Sequence, residues 1–421
     1  MQTKDAWRGG DDPAWAPHPD QGARPARAPS AHANSAHAHS ARALRNQGAL
    51  AVLRHVHVHP SVTRADAARA LGLSSGSATE ITARLKAARL LEEAAPARTG
   101  GRGRPSPALR AHPGGPLVCA VDISHERWWV ACVELGGVVV ESSSGTHTRR
   151  VDVLDLVAER VRDVHDRYGR RVRAVSVSVA GIVQGTTVVQ ASGLGWRDVD
   201  LARLAPPGVA VLVGNDASLA GLAEARRGAG AGARVVLHLS VEVGVGGVLV
   251  VDGRPMDGAT GAGGEFGHMP FGDPALECPC GARGCWDLEV DGRAMARALG
   301  RRPPRDPRAA ADQIIKAART DPAAREAVTA AARALGRGAG ALVNALDPGM
   351  VTLSGLAVDL AVTVPNALAD GYAAALMRHR RSDPPPLVTS ALGPLSPLTG
   401  AADAAFDVLL TGEGLDGWSH A

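Results

Sequence analysis

Apolar positions early in the chain fall at helical spacing. Leu50, Leu53 and Val56 recur three residues apart and predict a first helix over residues 44–56. Thr63 is placed to cap a second helix, with Asp66 three residues on as in a capping box and with Ala67, Ala70 and Leu71 facing inward; Gly72 ends it. Ser74 caps a third helix, in which Ala78, Ile81, Leu85 and Ala88 form the buried stripe while Ser75, Ser77, Thr79, Glu80 and Arg84 face outward. A short helix, a glycine turn and a further helix with a polar N-terminal face make the pattern of a helix-turn-helix. Residues 91–110 follow as a predicted β wing, with Arg98, Arg102 and Arg104 set among Gly100, Gly101 and Gly103. Small residues around guanidinium groups let a backbone approach DNA, where arginine can pair with phosphate or enter a minor groove. A three-helix bundle that binds nothing would share the helical pattern, though not the wing.

Pro113 to Pro116 reads as a linker. Beyond it the period changes: strand-like runs at Leu117–Ile123, Trp128–Val133, Val138–Val140 and Val172–Val179 surround a helix over Val153–Tyr168. Further runs at Val209–Val213, Val235–Leu239, Gly247–Val251 and Met350–Leu353 are interleaved with alanine-rich helices. This alternation predicts an α/β body over residues 117–421, of a length that suits two lobes with a ligand-binding cleft between them, preceded by an α+β winged helix-turn-helix domain over 42–112. Residues 1–41, rich in Ala, Pro, His, Asp and Arg, cannot bury enough surface to offset ordering entropy and are expected to form a disordered tail.

Charge sharpens the division. The 421 residues carry a net charge of only +4, but residues 42–110 hold twelve Lys or Arg against four Asp or Glu. A basic module joined to a mildly acidic body suggests a nucleic-acid footprint confined to one end, a generic solvated face being the alternative. No apolar run reaches membrane-spanning length and no hydrophobic signal core begins the chain, so a cytoplasmic protein is expected.

The densest chemistry lies at Glu265-Phe266-Gly267-His268 and, nine residues on, Cys278-Pro279-Cys280-Gly281-Ala282-Arg283-Gly284-Cys285. One imidazole and three thiolates, His268, Cys278, Cys280 and Cys285, supply the donor set of a closed, structural Zn²⁺ site. Gly281 and Gly284 allow the chain to fold back on one centre. A loop of ordinary reduced thiols is the alternative. Cys119 and Cys132 sit in apolar runs where a buried thiol is the default.

These motifs together resemble the ROK family, and specifically its transcriptional regulators with an N-terminal winged helix, from about Leu44 to the C-terminus. The resemblance rests on Arg64-Ala65-Asp66 and Leu73-Ser74, on Gly101-Arg102-Gly103-Arg104-Pro105 in the wing, and on Leu194-Gly195-Trp196-Arg197. It includes Asn215-Asp216-Ala217, the Gly244-Val245-Gly246-Gly247 loop and the segment from Glu265 to Cys285. It implies a two-lobed, actin-like ATPase (sugar kinase-like) fold and assembly as a homodimer or dimer of dimers. It implies a sugar or sugar phosphate held by Asn215, Asp216, Glu265 and His268, with Gly181 or its neighbours closing the pocket, and zinc on His268 and the three cysteines. His268 would then offer one ring nitrogen to the metal and the other to the sugar. Asp287 stands where the family usually has a sugar-contacting Glu. The shorter side chain leaves three alternatives: binding through a water, preference for a bulkier sugar, or substitution by Glu289.

The resemblance also implies a choice between kinase and reader. Asp216 matches the general base of family kinases. The phosphate loops differ: Ser124-His125-Glu126-Arg127 follows Val121-Asp122-Ile123 where small residues would face phosphate, Glu242-Val243 replaces Gly-Thr, and Ser354-Gly355 stands for a Gly pair. Added carboxylates repel a polyanion. The expected function is therefore a non-enzymatic, sugar-responsive regulator, a repressor released from double-stranded operator DNA by a sugar. Ser75, Ser77, Thr79, Arg84, Arg102 and Arg104 would contact that DNA. The alternatives are an ATP-dependent sugar kinase carrying a DNA-binding domain, and a regulator answering to a protein partner.

Overall fold

The computed structural model describes residues 47–94 and 106–419. The expected tail and the wing arginines Arg98, Arg102 and Arg104 lie outside the described residues.

Helices α1 (47–58), α2 (Arg64–Ala70) and α3 (Ser75–Ala87) come first, then β1 (Leu91–Ala94) paired antiparallel with β2 (Ala108–Ala111). Thr63 caps α2, its Oγ1 accepting the Asp66 N–H at 3.1 Å and donating to the Asp66 carboxylate at 2.7 Å. Gly72, at φ 65°, turns the chain into Ser74, which accepts the Ser77 N–H at 3.1 Å to start α3. Two details differ from the pattern. Ala70 is exposed and Ala68 is buried instead, because the inward stripe of this seven-residue helix runs through Ala67, Ala68 and Leu71. Thr82 joins Ala78 and Leu85 as the buried face of α3.

The first lobe is built on β3 (Leu117–Ile123), β4 (Arg127–Glu134), β5 (Val139–Thr146), α4 (Val153–Tyr168) and β6 (Val172–Val179). The small sheet of β7 (Ile182–Gln184), β8 (Thr187–Ala191) and β9 (Trp196–Asp200) follows, then β10 (Ala210–Asn215) and α5 (Asp216–Arg227). The main sheet runs β10-β6-β3-β4-β5, parallel through its first three strands and antiparallel at β4 and β5. All of β3 is buried, as a central strand covered on both faces must be. Leu117, Cys119, Val121 and Ile123 meet the α4 side, while Val118 and Ala120 point the other way. Val138–Val140 do not enter the core: Val138 precedes β5, and all three are exposed because β5 is an edge strand with a single neighbour.

The second lobe contains β11 (Val235–Val241), β12 (Val245–Val251), β13 (Arg254–Pro255), α6 (Asp287–Val290), α7 (Gly292–Ala298), α8 (Pro307–Ala317) and α9 (Pro322–Leu346). It continues with β14 (Met350–Gly355), α10 (Leu356–Thr363), α11 (Pro365–Ala375) and β15 (Leu387–Thr389). Its sheet order is β13-β12-β11-β14-β15. Helix α12 (Ser396–Leu409) then returns to pack on β3 and β6 of the first lobe, and α13 (Gly412–Ser419) ends the described chain.

One hydrophobic cluster unites the N-terminal module with the body. Leu53 and Val56 of α1, Leu85 of α3, Val118 and Ala120 of β3, and Leu398 and Phe406 of α12 belong to it together. Residues 113–116 therefore connect two parts of one continuous core. No helix among the described residues is long and apolar enough to cross a membrane.

His238, on β11, is fully buried between Thr352 Oγ1 at 2.8 Å and Ser354 Oγ at 3.0 Å, and burial pushes its pKa down to about 4. The folded chain keeps this imidazole neutral while the unfolded chain protonates it near pH 6.5. Its stabilising contribution is thus complete above pH 6.5 and is lost as pH falls toward 4. Relative to His238→Gln, the wild type is expected to lose about 2–3 kcal/mol between pH 7 and 4.5 in denaturant titrations. A difference that does not change with pH would overturn this assignment.

Candidate functional site

The Glu265–Cys285 segment starts with a single 3₁₀ turn, Phe266–His268, and ends where α6 begins. Between them the chain doubles back, with Glu277 bridging Arg283 and the Cys278 N–H donating to Ala282 O at 2.9 Å. Gly281 and Gly284 make the turns at φ 95° and 69°, in the left-handed region. The fold brings the four expected ligands together: donor atoms of His268, Cys278, Cys280 and Cys285 all lie within 4.8 Å of one another. Cys280 Sγ is 3.7 Å from Cys285 Sγ, and Cys278 Sγ is 3.8 Å from His268 Nδ1. A tetrahedron with metal–sulfur bonds of about 2.3 Å has edges of about 3.8 Å, which these two separations match, so the donor set suits a divalent ion. Burial raises the Cys278 thiol and pushes that of Cys285 up to about 12, whereas the Ala282 N–H holds Cys280 below its usual value. A bound cation would reverse the first two by stabilising thiolate.

His268 links this cluster to the neighbouring carboxylates. Its Nδ1 lies on the sulfur side, also 3.8 Å from Asp287 Oδ2, and its Nε2 faces Glu265 Oε2 at 3.7 Å. Asp287 is held tightly: Oδ1 accepts the Val245 N–H at 2.6 Å, and a β-carbon at Gly244 would come within 3.0 Å of Oδ2. Gly267 is pressed against the same carboxylate, so both glycines are needed for the loops to close on it. Glu289 is committed elsewhere, accepting from the Asp273 N–H at 3.1 Å and from Arg297 at 3.2 Å.

Across from these, Asn215 and Asp216 sit where β10 turns into α5. Asn215 caps the helix, its Oδ1 accepting the Ser218 N–H at 3.0 Å while its Nδ2 donates to Gly181 O at 3.1 Å. That bond places Gly181 beside the pair. Burial raises the Asp216 carboxyl, and burial likewise raises Glu265, with Asp287 and Asp216 adding to the effect. The expected sugar positions are therefore close enough to sense one another's charge.

Beside the phosphate-loop residues Glu126 and Glu242, other groups here were not singled out from the sequence. Asp122, buried on β3, accepts from Ser178 at 2.7 Å and is pushed up to about 7 by burial, with help from Asp216 and Glu242. A lone carboxylate inside the apolar run Val121–Ile123 was the available signal. Glu242 is also pushed up to about 7, by burial first, although half of its side-chain surface is reached by solvent: it is recessed among protein atoms rather than covered. Its Oε1 lies over Gly355, where a β-carbon would come to 2.5 Å, and Arg308 is 3.4 Å from its Oε2. Arg308 also pairs with Asp359 and Asp312. In the β3–β4 loop, Glu126 receives Arg149 at 2.7 Å, and Arg149 reaches on to Asp306, the cap of α8, at 3.4 Å. His125, Glu126 and Asp306 could geometrically hold an ion, but the Arg149 guanidinium already pairs with both carboxylates.

At the other end of the chain, Ser75, Ser77, Thr79 and Arg84 are all exposed on α3. The Thr79 hydroxyl donates to Ser75 O at 2.8 Å, and Ser77 Oγ lies 2.9 Å from Ser74 Oγ. Thr79 therefore presents an acceptor outward.

Comparison with known proteins agrees with this architecture. The glucokinase of Streptomyces coelicolor is 29% identical over 310 residues, covering 69% of this chain and 97% of that enzyme. The DNA-binding transcriptional repressor Mlc of Escherichia coli is 25% identical, over 58% of this chain and 62% of the repressor. The crystal structure of a ROK family transcriptional regulator, a homologue of the E. coli Mlc protein, superposes with a TM-score of 0.69 at 23% identity, covering 89% of this chain and 100% of that one. The model of the ROK family matches residues 118–407, and the chain belongs to that family.

Proposed function

We propose that the protein is a sugar-responsive, DNA-binding transcriptional regulator, a repressor released from its operator when a sugar enters the cleft. The observation that carries this reading is the continuous core joining α3, with its exposed polar face, to the lobe that bears Asn215 and Asp216. The Mlc relative is itself a transcriptional repressor, and the glucokinase relative makes a hexose the natural ligand class. In this reading two copies present α3 to successive major grooves of an inverted repeat in the cytoplasm. Ser75, Ser77 and Thr79 lie near base edges, and Arg84, Arg102 and Arg104 lie on the backbone or minor groove.

His268, Cys278, Cys280 and Cys285 hold one structural Zn²⁺, which when bound fixes the loop and the His268 ring. The chain's own groups then receive the sugar. Asp216 and Glu265 accept hydrogen bonds from sugar hydroxyls, the Asn215 amide donates, His268 Nε2 donates as well because metal on Nδ1 leaves the ring proton there, and Gly181 closes the pocket. Asp287, held by the Val245 N–H, acts as a brace between the glycine loop and His268. Glu265→Gln is expected to weaken sugar binding by about 1.5–3 kcal/mol, roughly tenfold or more, in calorimetry. Unchanged affinity would remove Glu265 from the pocket.

A kinase is the competing reading, favoured by the glucokinase relative and by Asp216. Against it stands the Glu242 carboxylate over Gly355, where a nucleotide phosphate would have to approach. Mobility-shift titrations with glucose, glucosamine, N-acetylglucosamine, xylose and glucose 6-phosphate, beside a coupled ATPase assay, separate the readings. Operator release without turnover is expected. Sugar-dependent ATP hydrolysis that disappears in Asp216→Asn would make the protein a kinase, and operator affinity indifferent to every sugar would point to a protein partner.

A further inference from the structure

We propose that α5 is the strut through which sugar occupancy reaches DNA, and that His57 is the post on which it bears. This deepens the function proposed above and rests on that reading.

Helix α5 runs from the Asn215–Asp216 pair to α12, which in turn meets the DNA-binding module. Its N-terminus is Asn215–Asp216. Its flank lies against both lobes: a β-carbon at Gly221 would collide with His238 and Val248 of the second-lobe sheet, and Gly400 of α12 is pressed onto Leu219 O. Glycine in a helix interior is unfavourable, and this close approach explains Gly221. At the far end, twelve residues or about 18 Å on, Arg227 grips Asp403 of α12, with Nε 2.9 and 3.0 Å from its two oxygens and Nη2 at 2.7 Å from Oδ1. Asp403 Oδ1 is 3.0 Å from Nε2 of His57, on α1 of the DNA-binding module.

The chemistry of this array permits little slack. His57 Nδ1 accepts the Gly136 N–H at 3.0 Å, so the imidazole proton must be on Nε2 and is donated to Asp403. Arg227 closes the circuit by donating to Gly136 O at 3.2 Å. His57 and Asp403 are buried, and the Phe406 ring stacks 4.5 Å from the imidazole. Parting Arg227 from Asp403 would leave a buried charge unpaired, and drawing His57 away would strip its Nε2–H and the Gly136 N–H of their buried partners, so α1 follows α5 and α12 when the lobes shift. Other contacts between the module and the body bypass α5, among them Arg54 donating to Leu410 O and Trp418 Nε1 donating to Ala88 O, each at 2.7 Å.

The test compares full-length wild type, His57→Leu and Arg54→Ala. Operator affinity is measured with and without whichever sugar of the panel binds by calorimetry. Sugar is expected to weaken wild-type operator binding by roughly 5–150-fold, the usual range of coupling between sites. His57→Leu should bind sugar as the wild type does while its response falls to within about twofold of none, and Arg54→Ala should respond fully. A full response in His57→Leu overturns the coupling alone; a wild type that responds to no sugar sinks the proposed function along with it. Should His57→Leu not fold, hydrogen exchange on the wild type decides. Sugar-dependent protection at the Gly136 amide and in α1 supports the strut, and unchanged protection there overturns it.

Discussion

Cys280→Ser is expected to lose most of the metal, to melt on the order of 10 °C lower and to bind sugar more weakly, all three together. The wild type should carry about one zinc per chain by elemental analysis. The reason is geometric. Two of the donor separations match the edges of a metal tetrahedron, all four donors lie within 4.8 Å of one another, and the loop they close carries His268, whose other ring nitrogen faces Glu265. Serine offers a hard oxygen on a similar stem and breaks the thiolate set. Losing a structural metal belongs to the small class of changes that cost about 4–5 kcal/mol or more. Full metal content and an unshifted melting curve in the variant would dispose of the site. A variant that loses metal but keeps sugar affinity would show that the loop and the pocket are independent.

Trp286→Ala carries the second large effect, about 3–5 kcal/mol in chemical denaturation. This indole follows Cys285 directly and is fully buried, with an edge contact to Phe271 at 5.9 Å and its Nε1 donating to Ala334 O at 2.9 Å. Gly338 of α9 leaves the space that the ring occupies. Trp286 thus fastens the metal loop to the second-lobe core, and its truncation should also reduce metal content. Trp286→Phe, which keeps most of the packing and loses one hydrogen bond, should cost only about 1 kcal/mol from that bond. Equal losses in the two variants would mean that the hydrogen bond rather than the packing anchors the loop.

Much of the fold was legible because it depends on local pattern. Thr63, Gly72 and Ser74 announce the helix boundaries through capping chemistry that involves only neighbours, and β3, β6 and α4 end where their apolar runs end. The exposed edge strand β5 was not legible, since three consecutive valines look the same whether one strand or two lie beside them. Within the site, four ligands spaced closely in sequence announce themselves, as does a motif such as Asn215-Asp216. Asp122, Arg308 and Trp286 did not, because their roles come from elements remote in the chain.

By itself, then, the sequence determined the helix-turn-helix pattern, the α/β alternation, the metal donor set and the identity of the polar groups offered to a ligand. Each of these is fixed by chemistry within a few residues. Only the tertiary structure decided that Glu242 covers Gly355, that Asp287 is pinned by the Val245 N–H, and that the N-terminal helices share a core with the sugar-kinase-like lobe. The bond between His57 and Asp403 spans 346 positions of chain, and no local preference can specify such a partner. It arises because a buried carboxylate must be satisfied by donors wherever the packed core places them.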